Sequence, residues 1–144
     1  MKNEISNVLN LIDNGETYKA LQDAKLLYKK NSNNLDTVKL LAYTYIQIGN
    51  FERVIEVLKK SYDKNKDLRD FDYFNNMGYA LSQIEEYEES ISNLEIASKL
   101  KENSNVQTSL AEIYLKKRDF KKAKEMISAA LDIVKKIGNG SFSK

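Results

Sequence analysis

Histidine and cysteine, the residue types that most often carry nucleophilic and metal chemistry, are both absent from this chain. Without them the sequence cannot form a thiolate nucleophile, a Cys–His or Ser–His pair, a zinc finger or an iron–sulfur site. Carboxylates and lysines are plentiful, but no spacing among them indicates a nucleophile with its base. We therefore expect no enzymatic activity, no cofactor and no bound metal.

The spacing that does repeat is suited to binding. Tyr43 and Gln47 lie four residues apart, and Tyr79 and Gln83 form the same pair further along the chain. Residues at i and i+4 share one face of an α-helix, so each pair would present an aromatic ring beside an amide. Tyrosine supplies contact area with a polar tip, and glutamine bonds both backbone donors and acceptors. Such a ladder suits an extended or helical peptide.

The composition predicts that helices position these residues. The chain contains no proline and only five glycines, and its two commonest residues, lysine and leucine, favour helices. The net charge is +2, from 23 basic and 21 acidic side chains, which argues against nucleic acid as the partner. No apolar stretch is long enough to span a membrane, and the start is unlike a signal peptide. We expect a cytoplasmic protein that does not bind membranes.

Internal repeats organise the chain. A small or β-branched landmark residue recurs after each of four similar turn segments, at spacings of 34, 36 and 33 residues. The landmarks are Ala20, Val54, Ser90 and Ala123. Upstream of the last three landmarks lies a second small residue. These residues are Ala42, Gly78 and Ala111.

A period near 34 with small residues at these positions resembles the tetratricopeptide repeat (TPR) family. The resemblance covers residues 1–137 and implies an all-α fold, a right-handed superhelical solenoid of about four helix-turn-helix repeats with eight helices. The implied repeats, before a short flexible tail at 138–144, are 1–34, 35–68, 71–103 and 104–137. The predicted helices are 2–13, 17–30, 35–48, 51–64, 70–83, 87–101, 105–117 and 120–137.

Two of the four turns lack the expected glycine. Gly15 and Gly49 are predicted to end the first helix of their repeats in the left-handed conformation that glycine adopts readily. Glu85 and Arg118 stand at the equivalent positions. We expect those two turns to form without the conformational freedom of glycine.

In the TPR family the leading helix of each repeat lines a concave groove, which implies a set of groove-facing residues in this chain. The candidates for the peptide groove are Lys39, Tyr43, Gln47, Asn75, Tyr79, Gln83, Thr108 and Glu112. Leu9 and Ile12 of the first helix are expected to project into the mouth of the groove. The alternative is that the candidate side chains are ordinary solvated surface.

Some TPR proteins hold the C-terminal carboxylate of heat-shock chaperones in a clamp of lysine, asparagine and arginine side chains. Lys39 and Asn76 fit that pattern when it is read onto the last three repeats. Tyr43, Asn105 and Ser109 do not, and charge-assisted bonds to an acidic tail would be lost. We expect that this chain is not a heat-shock chaperone tail clamp.

The last helix carries an apolar band that is wider than one packing face needs. Its members considered for self-association, with a homodimer as the result, are Met126, Ala130, Ile133, Val134 and Ile137. The alternatives are that the array buries these residues as it curls, or that the chain is cut from a longer protein. The leading hypothesis is a module that binds a peptide or helix of another protein in its groove. The second is a self-associating structural scaffold that uses its apolar ends.

Overall fold

The computed structural model of the chain describes residues 1–142, with side chains through Asn139. The described residues form eight α-helices and one short 3-10 helix at Lys66–Leu68. The α-helices are α1 (Lys2–Asp13), α2 (Thr17–Lys30), α3 (Leu35–Ile48), α4 (Phe51–Tyr62), α5 (Phe71–Gln83), α6 (Tyr87–Leu100), α7 (Ser104–Lys116) and α8 (Phe120–Phe142). The predicted helices are confirmed, and the first seven have both ends within two residues of the prediction.

The C terminus differs from the prediction. Residues 138–144 were expected to form a flexible tail, but α8 continues through Phe142, and only 143 and 144 lie outside the described residues. Gly138 stands inside the helix with open space around it. A glycine weakens a helix interior by about 1 kcal/mol relative to alanine but does not end it.

The helices stack as consecutive pairs. α1 contacts α2, α3 contacts α4, α5 contacts α6 and α7 contacts α8, and each trailing helix also contacts the leading helix of the next pair. Each repeat therefore packs mainly on its neighbours, as in a helical-repeat solenoid. The expected all-α solenoid is confirmed.

The repeat landmarks lie where the two helices of each pair meet. Ala20, Val54, Ser90 and Ala123 are all buried. Apolar side chains around them form one cluster across α1 to α5 and a second across α6 to α8, and Phe74 packs against both. The periodic small residues thus let the paired helices approach, and the solenoid has a continuous core.

All four turns within the repeats have the same geometry. Gly15 and Gly49 have φ angles of 81° and 85°, and Glu85 and Arg118 have φ angles of 66° and 62°. In each turn the next residue donates a backbone hydrogen bond that closes the end of the leading helix, for example from Glu86 N to Leu81 O at 2.9 Å. Glu85 and Arg118 therefore adopt the left-handed conformation despite their side chains, which stores strain in these two turns.

Candidate functional site

The leading helices of the repeats lie side by side. α1 contacts α3, α3 contacts α5, and α5 contacts α7. The eight peptide-groove candidates lie on α3, α5 and α7, and the two residues expected at the groove mouth, Leu9 and Ile12, lie on α1. The four leading helices α1, α3, α5 and α7 define one face of the solenoid, which we call the inner face.

The N-terminal end of the inner face contains an open groove between α1 and α3, with a volume of about 610 Å³. Its lining is largely apolar and includes the partly exposed side chains of Leu9 and Tyr43. The lining residues are Met1, Lys2, Ile5, Ser6, Leu9, Asn34, Asp36, Lys39, Leu40 and Tyr43. We call this feature the α1–α3 groove.

Among the predicted residues, Lys39 and Tyr43 line the α1–α3 groove, while Gln47 lies one turn further along α3 and is exposed. Leu9 lines the groove as expected. Ile12 does not, because its side chain packs into the core. Ile5 also lines the groove but was not among the predicted groove residues. The repeat spacing could have located it, since Ile5 stands 34 positions before Lys39, as Leu9 does before Tyr43.

Lys39 is held by two carboxylates at the start of α5, those of Asp70 before the helix and Asp72 in its first turn. Its Nζ lies 2.7 Å from Asp70 Oδ2 and 3.1 Å from Asp72 Oδ2. The hydrogen bond to Asp70 raises the pKa of Lys39 far above its ordinary value, against the opposing effect of partial burial. A ligand carboxylate would therefore compete with two protein carboxylates for this ammonium group.

Asp70 also begins α5, because its Oδ1 accepts a hydrogen bond from the backbone N–H of Tyr73 at 3.0 Å. Partial burial by itself would raise the pKa of Asp70. The hydrogen bonds from Lys39 and from the Tyr73 N–H outweigh burial and hold the pKa below its ordinary value. The ion pair thus joins the inner faces of the second and third repeats.

The remaining candidates are spread along the inner face. Tyr79 is half-buried, and its ring packs edge-on against Phe51 with a centroid distance of 5.8 Å. Asn75 is half-buried too, while Gln83 and Glu112 are exposed. The exposed Thr108 donates its hydroxyl to a backbone carbonyl of its own helix.

The apolar band of α8 is divided between two faces of the helix. Ile133 is only 8% exposed, and Met126 is half-buried against the second core cluster. Both were predicted as contact residues for self-association, and that role stays a prediction; within the single chain, Ile133 is buried and Met126 keeps only part of its side chain exposed. Of the other members, Ala130 is half-buried, and Val134 and Ile137 are exposed.

Two residues that were not among the predicted contacts complete the exposed face of α8. Ile127 is 45% exposed and Leu131 is 56% exposed. They lie on the same side of the helix as Val134, since residues at i, i+4 and i+7 share one face. We call Ile127, Ala130, Leu131 and Val134 the α8 stripe.

Within the described part of the chain, no group of three or more acidic side chains is placed to hold a metal ion. None of the helices described is both long and apolar enough to cross a bilayer.

The stacked pairs, the buried small residues and the shared turn geometry define a TPR-type solenoid, a class whose repeats generally form binding surfaces. The family model for the N-terminal TPR repeats region of Psidin matches residues 3–141. The chain therefore belongs to this family of TPR proteins. The family and fold support a role in protein–protein interaction, and no catalytic family is indicated.

Solved structures of MamA share the fold at low sequence identity. One crystal structure of MamA has a TM-score of 0.78 at 16% identity, covering 96% of this chain and 80% of that chain. MamA 41-end from Desulfovibrio magneticus RS-1 has a TM-score of 0.80 at 17% identity, covering 94% of this chain and 76% of that chain. Similarity at this level establishes the fold alone. No curated protein sequence matches the chain.

Proposed function

We propose that this chain is a non-enzymatic, cytoplasmic interaction module that binds a peptide or helical segment of a partner protein on its inner face. The α1–α3 groove is the observation that carries the proposal, because it offers about 610 Å³ of open, largely apolar space. Partially exposed apolar clefts of this kind are typical of sites that bind other molecules. The tyrosine and amide residues of α3 and α5 would extend the contact beyond the groove.

The lining of the groove indicates the chemistry of the bound segment. Ile5, Leu9 and Leu40 favour an apolar anchor side chain, and the ring of Tyr43 adds contact area beside them. Lys39 is already paired with two carboxylates, so the groove offers little advantage to an acidic chain end. An amphipathic helix or extended segment with an apolar anchor therefore fits better than an acidic tail.

The absence of catalytic activity is supported by chemistry. The sequence contains no histidine or cysteine, and the groove is open to solvent, whereas catalytic sites generally exclude water around the reacting groups. The shifted pKa values of Lys39 and Asp70 have their cause in mutual pairing. Such pairing holds two repeats together and does not prepare a proton donor or acceptor for a reaction.

The test uses the native host as the source of the partner. The tagged chain captures partners from an extract, and mass spectrometry identifies proteins that are retained by the wild type. Leu9→Ser combined with Tyr43→Ala should reduce capture at least about tenfold, because anchor residues at the centre of an interface carry most of the binding energy.

Tyr18→Ala is the matched control, since Tyr18 lies on α2 and is 75% exposed. It should capture the partner as the wild type does, and both variants should keep the helical circular dichroism signal of the wild type. Undiminished capture by the Leu9→Ser/Tyr43→Ala variant would exclude the α1–α3 groove as the binding site.

A further inference from the structure

The α8 stripe corresponds to a surface that the other repeats cover. Four residues after each repeat landmark stand Ala24, Leu58, Leu94 and Ile127. The first three are fully buried, but Ile127 is 45% exposed. Leu58 shares an apolar cluster with Met77 of the next leading helix, and Leu94, which also packs on Gly78 of its own repeat, shares one with Val106 and Leu110 of the next leading helix. The α8 stripe is therefore the same stacking surface, left uncovered in the described structure.

The position eight residues after the landmark is also least covered in the fourth repeat, since Tyr28 and Ser98 are half-buried in the first and third repeats. In the second repeat it is Tyr62, which is fully buried against Tyr73 of the following leading helix, with ring centroids 4.8 Å apart. In the fourth repeat it is Leu131, which is 56% exposed. Exposed apolar side chains at two stacking positions form an uncovered apolar surface on α8, a feature that often marks a contact site.

The opposite end of the solenoid is polar. In α3, α5 and α7, three equivalent positions face the preceding repeat and are buried. They are Thr37, Leu41 and Thr44 in α3, Tyr73, Met77 and Ala80 in α5, and Val106, Leu110 and Ile113 in α7. The equivalent residues of α1 are Asn3, Asn7 and Asn10, and all three are exposed.

This asymmetry selects one mode of self-association. If one copy stacked its α8 stripe on α1 of another copy, apolar side chains would cover three asparagines and remove them from water. Burying amides without hydrogen-bond partners is costly. Head-to-tail growth is thus disfavoured, and an α8 stripe is best covered by another α8 stripe.

We propose that two copies of this chain associate through an antiparallel, two-fold symmetric packing of α8 against α8. Ile127 and Val134 lie equally far from the midpoint between Ala130 and Leu131, so a two-fold axis at this midpoint superimposes the stripe on itself. A two-fold interface must be self-complementary in this way. The stripe residues of one copy then cover those of the other, and no polar end is buried.

The first test measures the oligomeric state of the full chain by sedimentation equilibrium over a wide concentration range. The wild type should form a dimer that dissociates on dilution. Ile127→Glu combined with Leu131→Glu should weaken dimerisation about a hundredfold or more, because it buries unpaired carboxylates at the centre of the interface. A wild type that stays monomeric at high micromolar concentration would overturn the proposal.

A matched control replaces exposed apolar residues elsewhere. Leu26 on α2 and Ile96 on α6 are 57% and 42% exposed, and Leu26→Glu with Ile96→Glu should leave the dimer unchanged. At concentrations low enough for the wild type to be monomeric, both glutamate variants should unfold near the temperature of the wild type, since all four positions are exposed in the single chain and no dimer then adds stability. Equal loss of the dimer in both variants would mean that the α8 stripe has no special role.

Cross-linking tests the two-fold geometry. The chain has no cysteine, so Leu131→Cys introduces a single thiol close to the proposed axis, where it faces its own copy in the partner. Mild oxidation should give a covalent dimer, whereas Ile96→Cys should cross-link far more slowly. A non-covalent dimer in which the Leu131→Cys thiols react no faster than those of Ile96→Cys would contradict the antiparallel packing.

Discussion

Gly78 on α5 packs directly against Leu94 of α6, and replacing it with alanine should destabilise the protein. A Cβ atom at Gly78 would lie 2.6 Å from Leu94 Cγ and 2.7 Å from Leu94 Cδ2, closer than carbon atoms normally pack. Leu94 is fully buried, so its side chain cannot turn out into solvent. Either Leu94 changes conformation within the core or the two helices move apart.

The size of the effect follows from three contributions. Overpacking a core costs about 1–3 kcal/mol. Separating the helices would also stretch the hydrogen bond from Ser90 Oγ to Gly78 O, now 2.5 Å long, and weakening such a bond costs about 1 kcal/mol. Alanine recovers about 1 kcal/mol through its better helix propensity. We expect the free energy of unfolding to fall by about 1–3 kcal/mol.

Urea denaturation followed by circular dichroism measures this change. The matched control is Gly138→Ala, because Gly138 is also helical but a Cβ atom there meets nothing within 4 Å. That variant should gain up to about 1 kcal/mol of stability.

A double-mutant cycle identifies the cause. Leu94→Ala alone should cost about 2–5 kcal/mol, and adding Gly78→Ala should cost less in that background, because the new methyl group occupies space that leucine has left. Two results would show that the proposed steric conflict between positions 78 and 94 is wrong. One is that Gly78→Ala is as stable as Gly138→Ala, and the other is that the stability losses of Gly78→Ala and Leu94→Ala simply add in the double variant.

Two further predictions concern the turns and the ion pair. Replacing Glu85 or Arg118 with glycine relieves a left-handed backbone conformation that costs about 1–2 kcal/mol. Glycine also raises the conformational entropy of the unfolded chain, which offsets part of this gain, so the free energy of unfolding should rise by about 0.5–1 kcal/mol. Urea denaturation measures the free energy of unfolding of each variant. No gain in stability in either glycine variant, together with no loss in Gly49→Ala, would contradict the idea that these turns are strained. The pKa of Asp70 is lowered from its ordinary value of 3.8, so its stabilising contribution is present above pH 3.8 and is lost as the pH falls through the lowered pKa. Asp70→Asn keeps a side chain able to cap α5, and it should lower the free energy of unfolding by up to about 1 kcal/mol at neutral pH. The stability of this variant should also change less than that of the wild type as the pH is lowered. If its stability falls with pH as the wild type's does, the pair with Lys39 contributes nothing.

The repeats could be predicted because each landmark has a local cause that recurs. Small residues are needed wherever paired helices touch, so Ala20 and Ala123 identify their helices without any knowledge of the stacking angle. The ends of the leading helices were equally readable at Gly15 and Gly49. Glu85 was harder, because the surrounding turn imposes a conformation that the residue itself does not favour.

The α1–α3 groove could be predicted only in part. Its side of α3 was found, since Lys39 and Tyr43 follow the repeat pattern. Its apolar lining from Ile5 and Leu40 depends on how closely α1 stacks on α3, which a periodicity does not specify. The pairing of Lys39 with Asp70 was missed for a related reason, because Asp70 belongs to the longer connection between the second and third repeats and its position in space is set by that loop.

The band on α8 illustrates the limit of periodicity. Apolar residues there span close to half of the helix circumference, from Ile133 round to Leu131, so the sequence alone could not tell which of them face α7. Ile133 was assigned to the surface, whereas its side chain packs inside the chain and Leu131 is exposed instead. Only the position of the neighbouring helix separates the two.

The two proposed surfaces lie at opposite ends of the solenoid, so occupying one need not block the other. The α1–α3 groove involves the first and second repeats, and the α8 stripe belongs to the fourth. A dimer joined through α8 would therefore keep both grooves open. Two grooves on one dimer would bind a partner with two copies of the target segment far more tightly than one groove, provided that the partner can reach both. The weak self-association expected of a single helix pair would then become stronger when such a partner is bound, because each binding event favours the other.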